Sequence, residues 1–232
     1  ETQYPVYMRA AGDVFAEVPE ADEIIGGYRF TRWKMASFHP NGQPYVNTEH
    51  LFDFSQKFLD NEFPHCIEMA RAFVQPKYQS AAGGRKALFA LDNLWDGIGG
   101  LIATDPTVKY LSGKVTIYST SPEMSRKAMV YYLDMSFGDR EGLITSKNPE
   151  TCTPEQAAFF KELFTGADYK ENYAILNNYV KSLGDSIPPF IHLYIGLSPT
   201  MKTFGTTFDP DFGDCYDTAM IITTDDIYPD KY

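Results

Sequence analysis

The sequence predicts an α/β (α+β) protein: a β-rich beginning, a middle in which strands alternate with helices, and closing strands after two consecutive helices. Three observations carry this. Short apolar runs bounded by Gly, Pro and acidic residues fill the first thirty positions. An apolar run, Cys66–Val74, leads through a loop and the pair Gly83-Gly84 into a long helical pattern. Between residues 154 and 183 lie two helical stretches, followed by further apolar runs.

Taken in order, residues 4–8, 14–18 and 24–30 read as strands of a meander, and residues 47–61 are mixed. Cys66–Val74, stopped by Pro76, reads as a buried strand. Gly83 and Gly84 open a helix carrying Leu88, Leu91, Trp95 and Ile98 on one face. Residues 115–118 form the next strand, after which Ser121 is placed to cap, and Pro122 to begin, a helix running to Phe137. Helices are predicted over 154–164 and 169–183, and strands over 190–197, after Pro188-Pro189, and over 218–223. No repeat or linker divides the chain, so one domain is expected over 1–232: a core sheet with two main helices at 1–138, a helical insertion at 139–186 and C-terminal strands at 187–232.

Composition narrows the function. The chain has 232 residues, 44% apolar and 22% charged, a balance that builds a core and excludes disorder. Its 31 acidic against 20 basic residues leave a net charge of −11, which opposes non-specific binding to nucleic acid and anionic membranes. Three dispersed cysteines, Cys66, Cys152 and Cys215, make neither a disulfide framework nor a zinc motif and fit a reducing compartment. No run reaches the length of a membrane span, and the start ETQYPVYMRA lacks a signal-peptide pattern. Serine-hydrolase elbows, Walker loops and His-Glu-x-x-His helices are missing. Asp209, Asp211 and Asp214 read either as a calcium loop or as a solvated turn; the loop lacks the Gly and Glu of an EF-hand, and no metal site is assigned.

The chemistry concentrates in residues 65–95. Gly83 and Gly84 at a helix start would let an anion approach free backbone N–H groups, and Arg85 and Lys86, unfavourable beside a bare helix N-terminus, would be explained by that anion. The alternative is a glycine turn with two solvated cations. Within the preceding strand, Glu68 and Arg71 interrupt apolar residues and require compensation. A β-bulge between them would turn both toward one cleft; the alternative is an inert salt bridge.

Read together, IEMARAFVQPKYQS, GRKALFALDNLWDGIGGL, YLSGKVTIY, IPPFIHLYIGL and DPDFGDCYDTAMII resemble bacterial GNAT-like N-acyltransferases of ornithine-lipid and glycine-lipid synthesis, often labelled hemolysins. The likeness covers residues 24–232, is nearest the glycine-lipid branch, and extends more distantly to acyl-homoserine lactone synthases. It implies a GNAT-type acyltransferase domain, a mixed central sheet flanked by helices, in which Cys66–Val74 is the splayed central strand. Gln79, Ala82, Gly83 and Gly84 would form the pyrophosphate loop, with Arg85 and Lys86 beside it. Two departures stand out: Ala82 occupies a usual glycine position of that loop, and Ala70 replaces the glycine of the family's Glu-x-Gly-Arg strand.

The implied reaction moves a 3-hydroxyacyl chain from acyl carrier protein, or from acyl-CoA, to the amino group of an amino acid, glycine favoured over ornithine, as the first step of aminolipid synthesis. The donor rides on phosphopantetheine, and no tightly bound cofactor is expected. Backbone groups of Ala70, Ala72, Phe73 and Val74 would hold the thioester. Glu68 would be the base, Arg71 would orient it or bind the acceptor carboxylate, and Tyr118 would protonate the leaving thiolate. An acidic carrier protein would need local cations, for which Lys77, Arg85, Lys86, Arg126 and Lys127 are the candidates. A cytoplasmic enzyme that meets the inner membrane only peripherally is expected. The rival readings are an acyl-homoserine lactone synthase-like enzyme and a non-catalytic lipid-binding protein. The apolar faces at Phe159, Phe160, Leu163 and Phe164 and at Tyr169, Tyr173, Leu176 and Tyr179 must be buried, either as cover for the sheet or as the wall of an acyl tunnel.

Overall fold

The computed structural model describes residues 11–18, 23–76 and 97–228, and the architecture is mixed α/β. The chain divides into two compact units, residues 1–47, 59–113 and 223–232 in the first and residues 48–58 and 114–222 in the second.

In the first unit, β1 (Ala11–Val18) and β2 (Glu23–Arg32) form an antiparallel hairpin, and β2 continues antiparallel onto β4 (Cys66–Val74). The other side of β4 is parallel to β5 (Tyr110–Ile117), but that ladder pairs only Cys66 to Met69 with Tyr110 to Gly113. A central strand that keeps a parallel partner for four residues and then leaves it is what the resemblance places here. Phe30, Trp33, Phe63, Ile67 and Leu111 fill this unit's core. Gly26 lies so close to the end of β4 that a Cβ there would sit 2.6 Å from the Phe73 carbonyl oxygen, so this β2 position is restricted to glycine by contact and not by its φ.

In the second unit the sheet order is β5-β8-β7, with β7 spanning Lys202–Asp209 and β8 spanning Cys215–Thr223 in an antiparallel pair. A small antiparallel ladder joins β3 (Phe52–Phe54) to β6 (Ile144–Ser146). Among the described residues of the two units together, the α-helices are α1 (Gln56–Asn61), α2 (residues 97–104), α3 (Glu123–Phe137), α4 (Pro154–Leu163), α5 (Tyr169–Ser182) and α6 (Pro189–Ile195). Helix α3 backs onto β7, where Thr203 Oγ1 donates 3.2 Å to the Leu133 carbonyl. Helices α4 and α5 start on strong caps: Thr153 and Gln156 form a reciprocal capping box, and the Asp168 carboxylate accepts from two backbone N–H groups.

Several expectations need correction. The predicted strand at 190–197 is helix α6: Pro189 at its first turn supplies a helical φ, and an apolar run this short does not distinguish a buried strand from a short helix. Strand β7 is missing from the sequence reading because Gly205, at φ +88°, carries an irregularity between Thr203 and Thr206 that breaks the two-residue period. Ser121 does not cap α3. Pro122 holds the N-cap position without a side-chain bond, and Ser121 N–H donates to the Tyr118 carbonyl. Strand β4 is buried only at its start, from Cys66 to Glu68; Arg71 to Phe73 are exposed. Of the apolar residues expected to be buried on α4, Phe160 and Phe164 pack on a helix, 5.5 and 5.9 Å from the Tyr131 ring of α3, while Phe159 is 44% exposed. The expected strand at 4–8 lies outside the described residues.

Candidate active site

Glu68 lies in the paired half of β4, opposite Thr31 of β2 and Ser112 of β5. Its side chain is buried, with 2% of the residue exposed, and an ionised carboxylate there needs donors. Two meet at one oxygen: the Trp33 indole Nε1–H donates to Oε2 over 3.2 Å, and the Asn47 backbone N–H donates to the same atom over 3.1 Å. Both come from distant segments, Trp33 from the 3₁₀ turn that ends β2 and Asn47 from the start of a second 3₁₀ turn.

The turn that carries Trp33 is itself clamped. Arg32 and Lys34, on either side of Trp33, both reach Asp105, and Lys34 also reaches the Thr107 hydroxyl at 3.0 Å. The hydroxyl of Thr107 and the ammonium of Lys34 hold the Asp105 carboxyl down to about 2, against the opposing effect of partial burial. The Trp33 ring is fully buried and stacks on Phe63 with centroids 5.0 Å apart and planes 20° from parallel.

Three residues beyond Glu68 the strand bulges. Gly27 pairs with Phe73 and Arg29 with Ala70, so Tyr28 alone faces Arg71 and Ala72. Arg71 takes φ +54°, the left-handed conformation that glycine usually supplies at such a bulge. The expected bulge is thus present, at Arg71 and Ala72 and not between Glu68 and Arg71. No hydrogen bond or ion pair joins these two side chains, and among the described residues Arg71 is exposed with no bonded partner. The expected Glu68–Arg71 salt bridge is therefore not formed; donors that do meet Glu68 include the Trp33 indole and the Asn47 amide. Tyr28, opposite the bulge, is buried with no hydrogen-bond partner for its hydroxyl, and burial pushes that phenol well above its ordinary value.

Of the other predicted residues, Ala70 and Val74 are half-buried, while Ala72 and Phe73 are exposed beyond the end of the β4–β5 ladder. Tyr118 belongs to the second unit, follows β5 directly and is 63% exposed. Gln79, Ala82, Gly83, Gly84, Arg85 and Lys86, together with Lys77, lie outside the described residues. Arg126 and Lys127 are not free to receive an acidic partner: both pair with Glu150, at 3.3 and 2.8 Å, and Arg126 also lies over the Tyr216 ring.

The sequence reading missed Trp33 and Asn47, for which no local signal exists. His50 Nε2 approaches Asp211 at 3.3 Å and Asp209 at 3.7 Å, while Asp209 Oδ1 accepts the Asp211 N–H in a tight turn. This is the one group among the described residues with metal-ligand geometry; Asp214 is not part of it. No described helix is long and apolar enough to cross a membrane.

No family model matches the chain. Its sequence is 44% identical over 216 residues to the glycine N(alpha)-acyltransferase of Bacteroides thetaiotaomicron and 42% identical over 213 residues to that of Phocaeicola vulgatus, each alignment covering 92% of this chain. The chain spans just under two thirds of these relatives, 63% and 65% of their lengths. Among solved structures, an aminoglycoside 6'-N-acetyltransferase complexed with coenzyme A aligns over 92% of this chain and 72% of its own, with 11% identity and a TM-score of 0.36, a likeness too slight to build on. Over nine tenths of its length, then, this chain is similar in sequence to two glycine N(alpha)-acyltransferases.

Proposed function

We propose that the protein transfers an acyl group from a phosphopantetheine thioester to the amino group of glycine, with β4, from Glu68 through the bulge at Arg71 and Ala72, as the reaction site. The observation that carries this reading is the 42–44% identity, over 92% of the chain, to two enzymes named for glycine acylation. The glycine nitrogen attacks the thioester carbonyl, Glu68 accepts the proton the amine loses, the developing oxyanion is met by backbone N–H groups near the bulge, and the carbon–sulfur bond breaks to release the thiolate. The acyl group is a 3-hydroxyacyl chain, its carrier an acyl carrier protein in preference to coenzyme A, and the product the first intermediate of an aminolipid. With Arg126 and Lys127 tied to Glu150, any carrier docking falls to Lys77, Arg85 and Lys86. Arg71, exposed at the bulge, binds the acceptor carboxylate. Tyr118 is assigned no role.

Mass spectrometry of products tests this. The purified protein, mixed with acyl carrier protein and coenzyme A thioesters and a panel of amino acids, should yield N-acylglycine ahead of N-acylornithine. A homoserine lactone product formed from S-adenosylmethionine, or no acyl transfer with any pair, would overturn it.

Arg71→Gly separates strain from binding. A left-handed non-glycine residue costs roughly 1–2 kcal/mol, and glycine returns roughly 0.5–1 kcal/mol of that as chain entropy. The variant should therefore be as stable as the parent in denaturant, or up to about 1.5 kcal/mol more so, while its KM for glycine rises about tenfold or more. An unchanged KM would mean that the acceptor carboxylate is held elsewhere.

A further inference from the structure

We infer that Trp33 is the positioning residue of the Glu68 base, its indole N–H fixing the carboxylate in the orientation that receives the acceptor's proton. The inference rests on the proposed role of Glu68. It is carried by three structural facts that serve one bond. The indole Nε1–H donates to Glu68 Oε2 over 3.2 Å from a side chain with no solvent exposure. The ring cannot swing away, because it is stacked on Phe63. The backbone behind it cannot drift either, since Arg32 and Lys34 are both anchored on Asp105.

A carboxylate used as a base has to present a chosen oxygen at a chosen angle, and a misplacement of about 1 Å can cost about 100-fold in rate. Rotation of the Glu68 carboxyl would break two bonds at once, because the Asn47 N–H shares the same acceptor oxygen at 3.1 Å. Asn47 contributes through its backbone, so its donor is insensitive to most substitutions; Trp33 contributes through its side chain and is the part of the pair that mutation can remove. A buried indole N–H needs an acceptor in any case, and the acceptor this one has is the one carboxylate of β4.

The test is a double-mutant cycle on acyl transfer to glycine, with Trp33→Phe, Glu68→Gln and the double variant, each checked for folding by circular dichroism. Trp33→Phe should lower kcat about tenfold, the rate equivalent of a hydrogen bond to a charged group, with KM for glycine changed less than about twofold. In the Glu68→Gln background the same change should have no further effect on kcat, because Trp33 acts through the lost base. If Trp33→Phe proves unstable, 3-benzothienylalanine at position 33 keeps the shape and removes only the N–H, and the same tenfold loss is expected. An undiminished kcat in either variant, or an equal loss repeated in the Glu68→Gln background, overturns the positioning role alone. A Glu68→Gln enzyme with parental kcat overturns the base assignment, and the positioning role with it.

Discussion

Glu68→Gln is expected to lower kcat by roughly 10²- to 10⁴-fold, the range a positioned general base contributes, which corresponds to about 2.7–5.5 kcal/mol of barrier. The fold should survive. Glutamine keeps an oxygen able to accept from both the Trp33 indole and the Asn47 N–H, so neither donor is stranded in the interior. What it lacks is the basic oxygen. Single-turnover acyl transfer, measured beside an unfolding curve, separates the two effects: a slow, fully folded variant supports the base, and a folded variant with parental turnover makes Glu68 a structural carboxylate. A variant that is slow and also partly unfolded would implicate the anchoring bonds themselves.

Phe160→Ala is expected to have the largest effect on stability. Phe160 is fully buried, and its ring lies 5.5 Å from Tyr131, 6.3 Å from Phe164 and 6.2 Å from Tyr179, so it joins α3, α4 and α5. Removing a buried phenyl group costs about 3–5 kcal/mol, because the transfer energy is lost and neighbouring rings cannot all relax into the space. Chemical denaturation should show that loss. Because these contacts are packing within α4 and between it and α3 and α5, the preferred acyl chain length of the donor should stay the same. A stable variant with a changed chain-length preference would instead make this cluster the wall of an acyl tunnel.

Much of the fold was legible because periodicity and caps are local. The apolar run Cys66–Val74 is a strand with those same limits, and the helices expected over 154–164 and 169–183 end within a residue of the observed Pro154–Leu163 and Tyr169–Ser182. Local patterns failed where they are degenerate or interrupted. Residues 190–197 satisfied both a buried strand and a short helix, and the packing of Ile191 and Ile195 chose the helix. At Gly205 the irregular ladder concealed β7.

For the site, the sequence by itself determined that two charges stand in a strand otherwise made of apolar and small residues, an anomaly visible without coordinates because a buried carboxylate must be compensated. Only the tertiary structure decided what compensates it. The Trp33 and Asn47 donors lie 35 and 21 residues before Glu68, and they reach it because β2 and β4 pair in one particular register and two 3₁₀ turns close over the result. Side-chain period fixes which face a residue occupies, but the partner it meets depends on strand register and on turn geometry, and those are set by the packing of the whole unit. The bulge has the same origin. Nothing in the order Ala70-Arg71-Ala72 announces a left-handed arginine; the conformation appears because Tyr28 has to face two residues where a regular ladder would give it one.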